Sequence, residues 1–207
     1  MVRLWGILKA NFRLSIQNNL LLAVLYLLIV PVLRSIENLN EVYSAECLEQ
    51  SVILIGIFLI PPLPAPEQSK AIQDVVCTKK IPHWKILLLR FIMSMLLLIM
   101  MVCLFSGIMV WENCIFPFVP YVAGTVVSAM ALGSFGFAAS IFSNSVIIGY
   151  LASIGYFLLN SLGNVSDGSV FYLFSMGKGN YSTKIWLFGL SLLVITVVFI
   201  YERRKRY

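Results

Sequence analysis

Six apolar runs, nearly empty of charge, decide what this chain can fold into: Leu20–Leu33, Leu48–Pro64, Ile86–Trp111, Phe116–Phe142, Val146–Leu162 and Lys184–Tyr201. The hydrocarbon core of a bilayer takes about 20 residues of helix. Lipid offers no hydrogen bonds, so a spanning segment must satisfy its own backbone, which a helix does. Composition agrees: the 207 residues are 60% hydrophobic and 12% charged, against roughly a half and a quarter in soluble domains. The expected fold is all-α, a polytopic membrane protein of six transmembrane helices in one bundle.

Basic residues orient the bundle. Of the 15 Lys and Arg, all but Arg34, Lys178 and Lys184 fall in the N-terminal segment, the loop after the second run with the start of the third, or the C-terminal tail. Short cytoplasmic loops collect Lys and Arg, which places both termini and that loop inside, at the cell (inner or plasma) membrane. The first outer loop is acidic, with Glu37, Glu41, Glu46 and Glu49. The net charge of +6 lies at run ends rather than on a folded basic face, so nucleic acid is not an expected partner. No small-residue cleavage site follows Leu20–Leu33, and that run is expected to stay as a membrane helix.

Residues 1–19 form a separate unit ahead of the domain at 20–207. At helical spacing Leu4, Trp5, Leu8, Phe12 and Ile16 share one face, and Lys9, Arg13 and Gln17 the other. That pattern predicts an amphipathic helix in the headgroup layer, with Trp5, Leu8, Phe12 and Arg13 as its anchors.

Enzyme chemistry is poorly supplied. The one histidine, His83, lies in the cytoplasmic loop, no pair of acids falls within a run, and no GxxxxGK[ST] loop is present. The chain is therefore expected to be no enzyme, with no catalytic residue, metal or cofactor of its own. Charges inside the runs are almost absent, the nearest being Arg90 and Glu112 at run ends, which disfavours a proton relay. Apolar and weakly polar surfaces suit an amphipathic or lipid-like substrate better than an ion.

The fourth and fifth runs carry small residues about four apart, among them Gly133, Gly136 and Gly155. Such spacing lets helix backbones approach. Ordinary packing is the plainer reading and a gate the sharper one; Asn160 belongs with this group as a polar residue that bonds a neighbour. Ser143-Asn144-Ser145 reads as a tight turn between the two runs, and residues 163–183 as an outer loop. Four cysteines show no ligand spacing. A Cys47–Cys114 disulfide stays open beside the simpler expectation of separate thiols.

The loop after the second run is the most informative segment. Pro61, Pro62, Pro64 and Pro66 end the run. Glu67 then heads a short helix, where an acid suits the helix dipole. Ala71, Ile72, Val75 and Val76 make an apolar stripe, Lys79 and Lys80 close the helix, and Pro82 stops it.

This ordered layout resembles the membrane subunit of ABC transporters of the ABC-2 (type V exporter) class. The shared features are the N-terminal amphipathic helix, the acid-led helix from Glu67 to Cys77, the basic link from Lys79 to Lys85 and a long third span. A tight turn before the fifth span, an outer loop before the sixth and a basic tail complete it. The resemblance implies a permease that works as a pair, identical or paralogous, above two ABC ATPase subunits that hold ATP and Mg. It also implies that Glu67, Lys70, Ile72, Asp74, Val75 and Val76 form the helix that couples to the ATPase. By the same resemblance the N-terminal helix lies beside it, and an amphipathic peptide or lipid-like substrate is exported. Two other readings remain: a substrate-binding subunit of a vitamin-uptake ABC system, and a non-transporting membrane immunity or assembly protein.

Overall fold

The computed structural model describes residues 16–67, 83–163, 165 and 169–204, and these contain helices, turns and loops but no strand. The helices are α1 (Gln17–Leu33), α2 (Glu41–Gln50), α3 (Ile55–Leu59), α4 (His83–Trp111), α5 (Phe118–Ser143), α6 (Val146–Ser161) and α7 (Ser182–Arg204). Single 3-10 turns lie at Val52–Leu54, Ala65–Glu67 and Met176–Lys178.

Four helical units among the described residues are long and apolar enough to cross a membrane: Glu41–Leu59, Trp84–Trp111, Phe118–Ser143 and Ser182–Arg204. This is the mark of a membrane protein. The other two apolar helices are shorter. At 1.5 Å per residue, the 17 residues of α1 reach about 26 Å and the 16 of α6 about 24 Å.

Helix α5 is the spine. Of its apolar window 67% is buried, against 33% for α7, and it packs on α2, α3, α4, α6 and α7. Its small residues explain this. A Cβ on Gly136 would lie 2.7 Å from the carbonyl oxygen of Gly149 in α6, and one on Gly133 would lie 3.0 Å from the carbonyl oxygen of Gly56 in α3. Without side chains there, backbones meet directly, as small-residue faces allow. Phe91, Phe137 and Phe199 then join α4, α5 and α7, with ring centroids 5.9 to 6.1 Å apart.

The second span departs from expectation at its start and in its middle. It begins at Glu41, so Glu41, Glu46 and Glu49 are helical rather than part of a loop. Glu41 occupies the first turn, where the helix dipole favours an acid. The helix breaks at Ser51 before resuming through the 3-10 turn. The hydroxyl of Tyr26 in α1 donates to Ser51 O at 2.9 Å, which satisfies a carbonyl at the break.

The proline segment ends α3 as expected, and the carbonyls there are met from α4. Ser94 Oγ donates to Leu59 O at 2.7 Å and Arg90 Nη1 to Leu63 O at 3.3 Å. Both donors are buried and sit one turn apart. At the other end of the bundle the loops interlock: Asn38 N donates to Glu112 O, Ile115 N to Leu39 O, each at 3.0 Å, and Cys114 Sγ to Ile36 O at 2.9 Å. Cys47 and Cys114 are separate buried thiols. The tight turn after α5 places Asn144 in the left-handed region (φ 53°) and Ser145 at the start of α6, a conformation that asparagine tolerates better than most residues.

Candidate functional site: a charged clasp at the loop end

At the end where α2, α5 and α7 begin, one buried charge pair joins them. Lys184, in the first turn of α7, places Nζ 2.6 Å from Glu49 Oε1, and the two side chains are 6% and 3% exposed. The same ammonium donates to Ser128 Oγ of α5 at 2.6 Å and to Leu173 O. An ammonium has three donors, and all three are used. Met176 N donates to Glu49 Oε1 at 3.0 Å. The clasp thus holds three helices and the loop before α7 to one point.

Local sequence explains how each part arrives. Asn40 in extended conformation starts α2, and nine residues on, Glu49 falls on the buried face with Ala45 and Leu48. Ser128 lies on the small-residue face of α5. The 3-10 turn at Met176–Lys178 ends at Gly179 in the left-handed region (φ 69°), which glycine adopts at no steric cost. That turn buries Met176 and aims its amide at the carboxylate.

Beside the clasp lies a cavity of about 350 Å³ between α2, α6 and the loop. Its walls include Val42, Glu46, Glu49 and Gln50 from α2 and Tyr172 and Lys178 from the loop. Lys178 Nζ stands 5.8 Å over the Tyr172 ring, a cation–π distance. Asn160, 2% exposed, fastens the loop to α6: its Oδ1 accepts from Leu173 N at 2.9 Å and its Nδ2 donates to Tyr156 O at 3.0 Å. Asn160→Ala orphans the buried Leu173 amide, at about 1–3 kcal/mol. Hydrogen exchange at Leu173 is expected to speed up while exchange in α5 holds. Unchanged protection at Leu173 would count against this role.

The remaining sequence candidates fall in different places. Gly133 and Gly136 sit at close helix contacts, whereas a Cβ on Gly155 meets nothing within 4 Å. Glu67 ends the 3-10 turn Ala65–Glu67, at the opposite end of the bundle from Asn160. Lys70, Ile72, Asp74, Val75 and Val76, like Trp5, Leu8, Phe12 and Arg13, lie outside the described residues.

Sequence reasoning missed the clasp. It found charge within the bundle nearly absent, yet Glu49 and Lys184 are both buried there. Read singly, Lys184 is the first residue of one apolar run, and Glu49 is the second of another and the last acid of the outer loop. The available signal was their pairing: opposite charges heading two runs at the same end of the bundle. Comparison of the chain with protein-family models, with curated proteins and with solved structures finds no match in any of the three.

Proposed function

We propose that this chain is the transmembrane subunit of an ATP-driven exporter of the ABC-2 class, with ATP hydrolysed on a separate ATPase. In this reading α1 and α6 also span, both termini are cytoplasmic, and two permeases work as a pair. The substrate is an amphipathic peptide or a lipid-like molecule.

The observation that carries the reading is the proline segment at the end of α3. It leads the chain out of an apolar span, through Glu67, into the loop with the acid-led apolar stripe. Arg90 and Ser94 hold its carbonyls to α4, so a pull on the loop reaches two helices at once. Tight packing on α5 carries it to α6 and α7. A nucleotide-driven pair of ATPases needs such an element, with two arrangements that binding can bias.

Replacing Glu67 or Val75 by Arg tests the reading. Each variant is expected to lose most of the ATPase that co-purifies with the wild-type chain in mild detergent, with thermal stability kept at the wild-type level. An undiminished ATPase yield with both variants, or no ATPase with the wild type, removes the proposal.

A further inference from the structure

We infer that the loop-end cavity binds a headgroup carrying a primary ammonium and a phosphate, as phosphoethanolamine does. Two carboxylates on one face of α2 form the cationic half of the site. Glu46 is exposed, and Glu49, three residues on and so on the same side of the helix, is buried at the cavity wall. Among the described residues Lys184 and Met176 N hold the Glu49 carboxylate at Oε1, and Glu49 lines the cavity. A primary ammonium brings three donors, and these two carboxylates offer charge-assisted acceptors for them.

The anionic half is met by Lys178 on the loop wall. Lysine holds phosphate as a point charge, and this one is steadied over Tyr172. Val42 and Phe174 supply apolar wall between the two poles. A volume of about 350 Å³ lies at the small end of ligand pockets, roughly 300–1,000 Å³, which suits a headgroup rather than a folded peptide. The cavity opens where α2 begins and α6 ends, the depth at which a spanning bundle meets lipid headgroups. Tyr43, Leu159 and Leu162, each next in sequence to a wall residue, are exposed and give acyl chains an apolar path. The inference needs only this cavity, and holds whether or not an ATPase couples to the chain.

Native mass spectrometry of the delipidated full chain tests it, with short-chain phosphatidylethanolamine, phosphatidylcholine and phosphatidylglycerol as probes. The ethanolamine lipid is expected to bind at least about 10-fold more tightly than the other two. Choline's methylated nitrogen has no hydrogen to donate, and glycerol brings no cation. Glu46→Gln is expected to weaken ethanolamine-lipid binding several-fold and Glu46→Lys to abolish the preference, both with unchanged thermal unfolding, since Glu46 is on the surface. Free phosphoethanolamine separates the sources. Its competition with the lipid shows that the headgroup alone is read, whereas binding of the lipid without such competition assigns the site to the lipid. Equal binding of the ethanolamine and choline lipids, or a preference untouched by Glu46→Lys, overturns the inference.

Discussion

Lys184→Met is expected to destabilise the bundle by about 3–5 kcal/mol, the usual penalty for leaving a buried charge without its partner. Glu49 is 2% exposed, and after the change its carboxylate keeps, among the described residues, the Met176 amide alone. Both ways out are unfavourable: an uncompensated charge in an apolar bundle, or a protonated acid whose new hydrogen needs an acceptor. Each kcal/mol moves the melting temperature of a domain of this size by about 2–4 °C, so a fall on the order of 10 °C is expected in detergent, followed by tryptophan fluorescence.

The double variant Lys184→Met with Glu49→Gln separates the charge from the geometry. Glutamine keeps an oxygen for the Met176 amide, and Ser128 Oγ still donates to Leu173 O, as it does at 3.3 Å already. Neutral replacement of a whole buried pair is often harmless or stabilising. Most of the lost stability is therefore expected to return. A single variant as stable as wild type, or a double variant no better than the single, would show that the pair does not hold the loop end. The clasp also matters for function in the proposed reading. It fixes one end of α2 and α7 while the proline end remains the point where a soluble motor pulls, which concentrates movement at the proline end.

Much of the helical layout was legible because it rests on local rules. The turn at Ser143–Ser145 shows itself as three polar residues between apolar runs, and the structure places Asn144 there in the left-handed region. The prolines after Ile60 stop α3 for want of backbone donors. The small residues of α5 announced close packing, and α5 is the most buried of the long spans. What was illegible depends on tertiary pairing. The start of α2 at Glu41 was hidden because acidic residues read as loop; a helix N-terminus welcomes them, and Glu49 is tolerated in the interior only because Lys184 arrives from the far end of the sequence. The break at Ser51 has no proline or glycine to mark it, and is made acceptable by Tyr26 from another helix. The clasp is a property of residues 49, 128, 173, 176 and 184 together, and no window of sequence contains them.

Glycine positions make the same point in a measurable way, since sequence spacing treats them alike and packing does not. A Cβ on Gly56 would fall on the carbonyl oxygen of Ala129, 2.9 Å from its carbon and 3.1 Å from its Cα. Those are backbone atoms of the spine, so no side chain can swing aside, and α3 must leave α5. Overpacking a tight contact costs about 1–3 kcal/mol and sometimes more; with backbone on the other side, Gly56→Ala is expected at the upper end and Gly56→Leu beyond it. Gly155 was marked by the same small-residue pattern, yet a Cβ there meets nothing within 4 Å. Gly155→Ala is then expected to be neutral or to gain up to about 1 kcal/mol, the helix preference of alanine over glycine. Melting temperatures of the two alanine variants, measured side by side, are expected to differ by several degrees with Gly56→Ala the lower. Equal values would mean that α3 and α5 are not in backbone contact, and that movement of the proline segment has no rigid route to the spine.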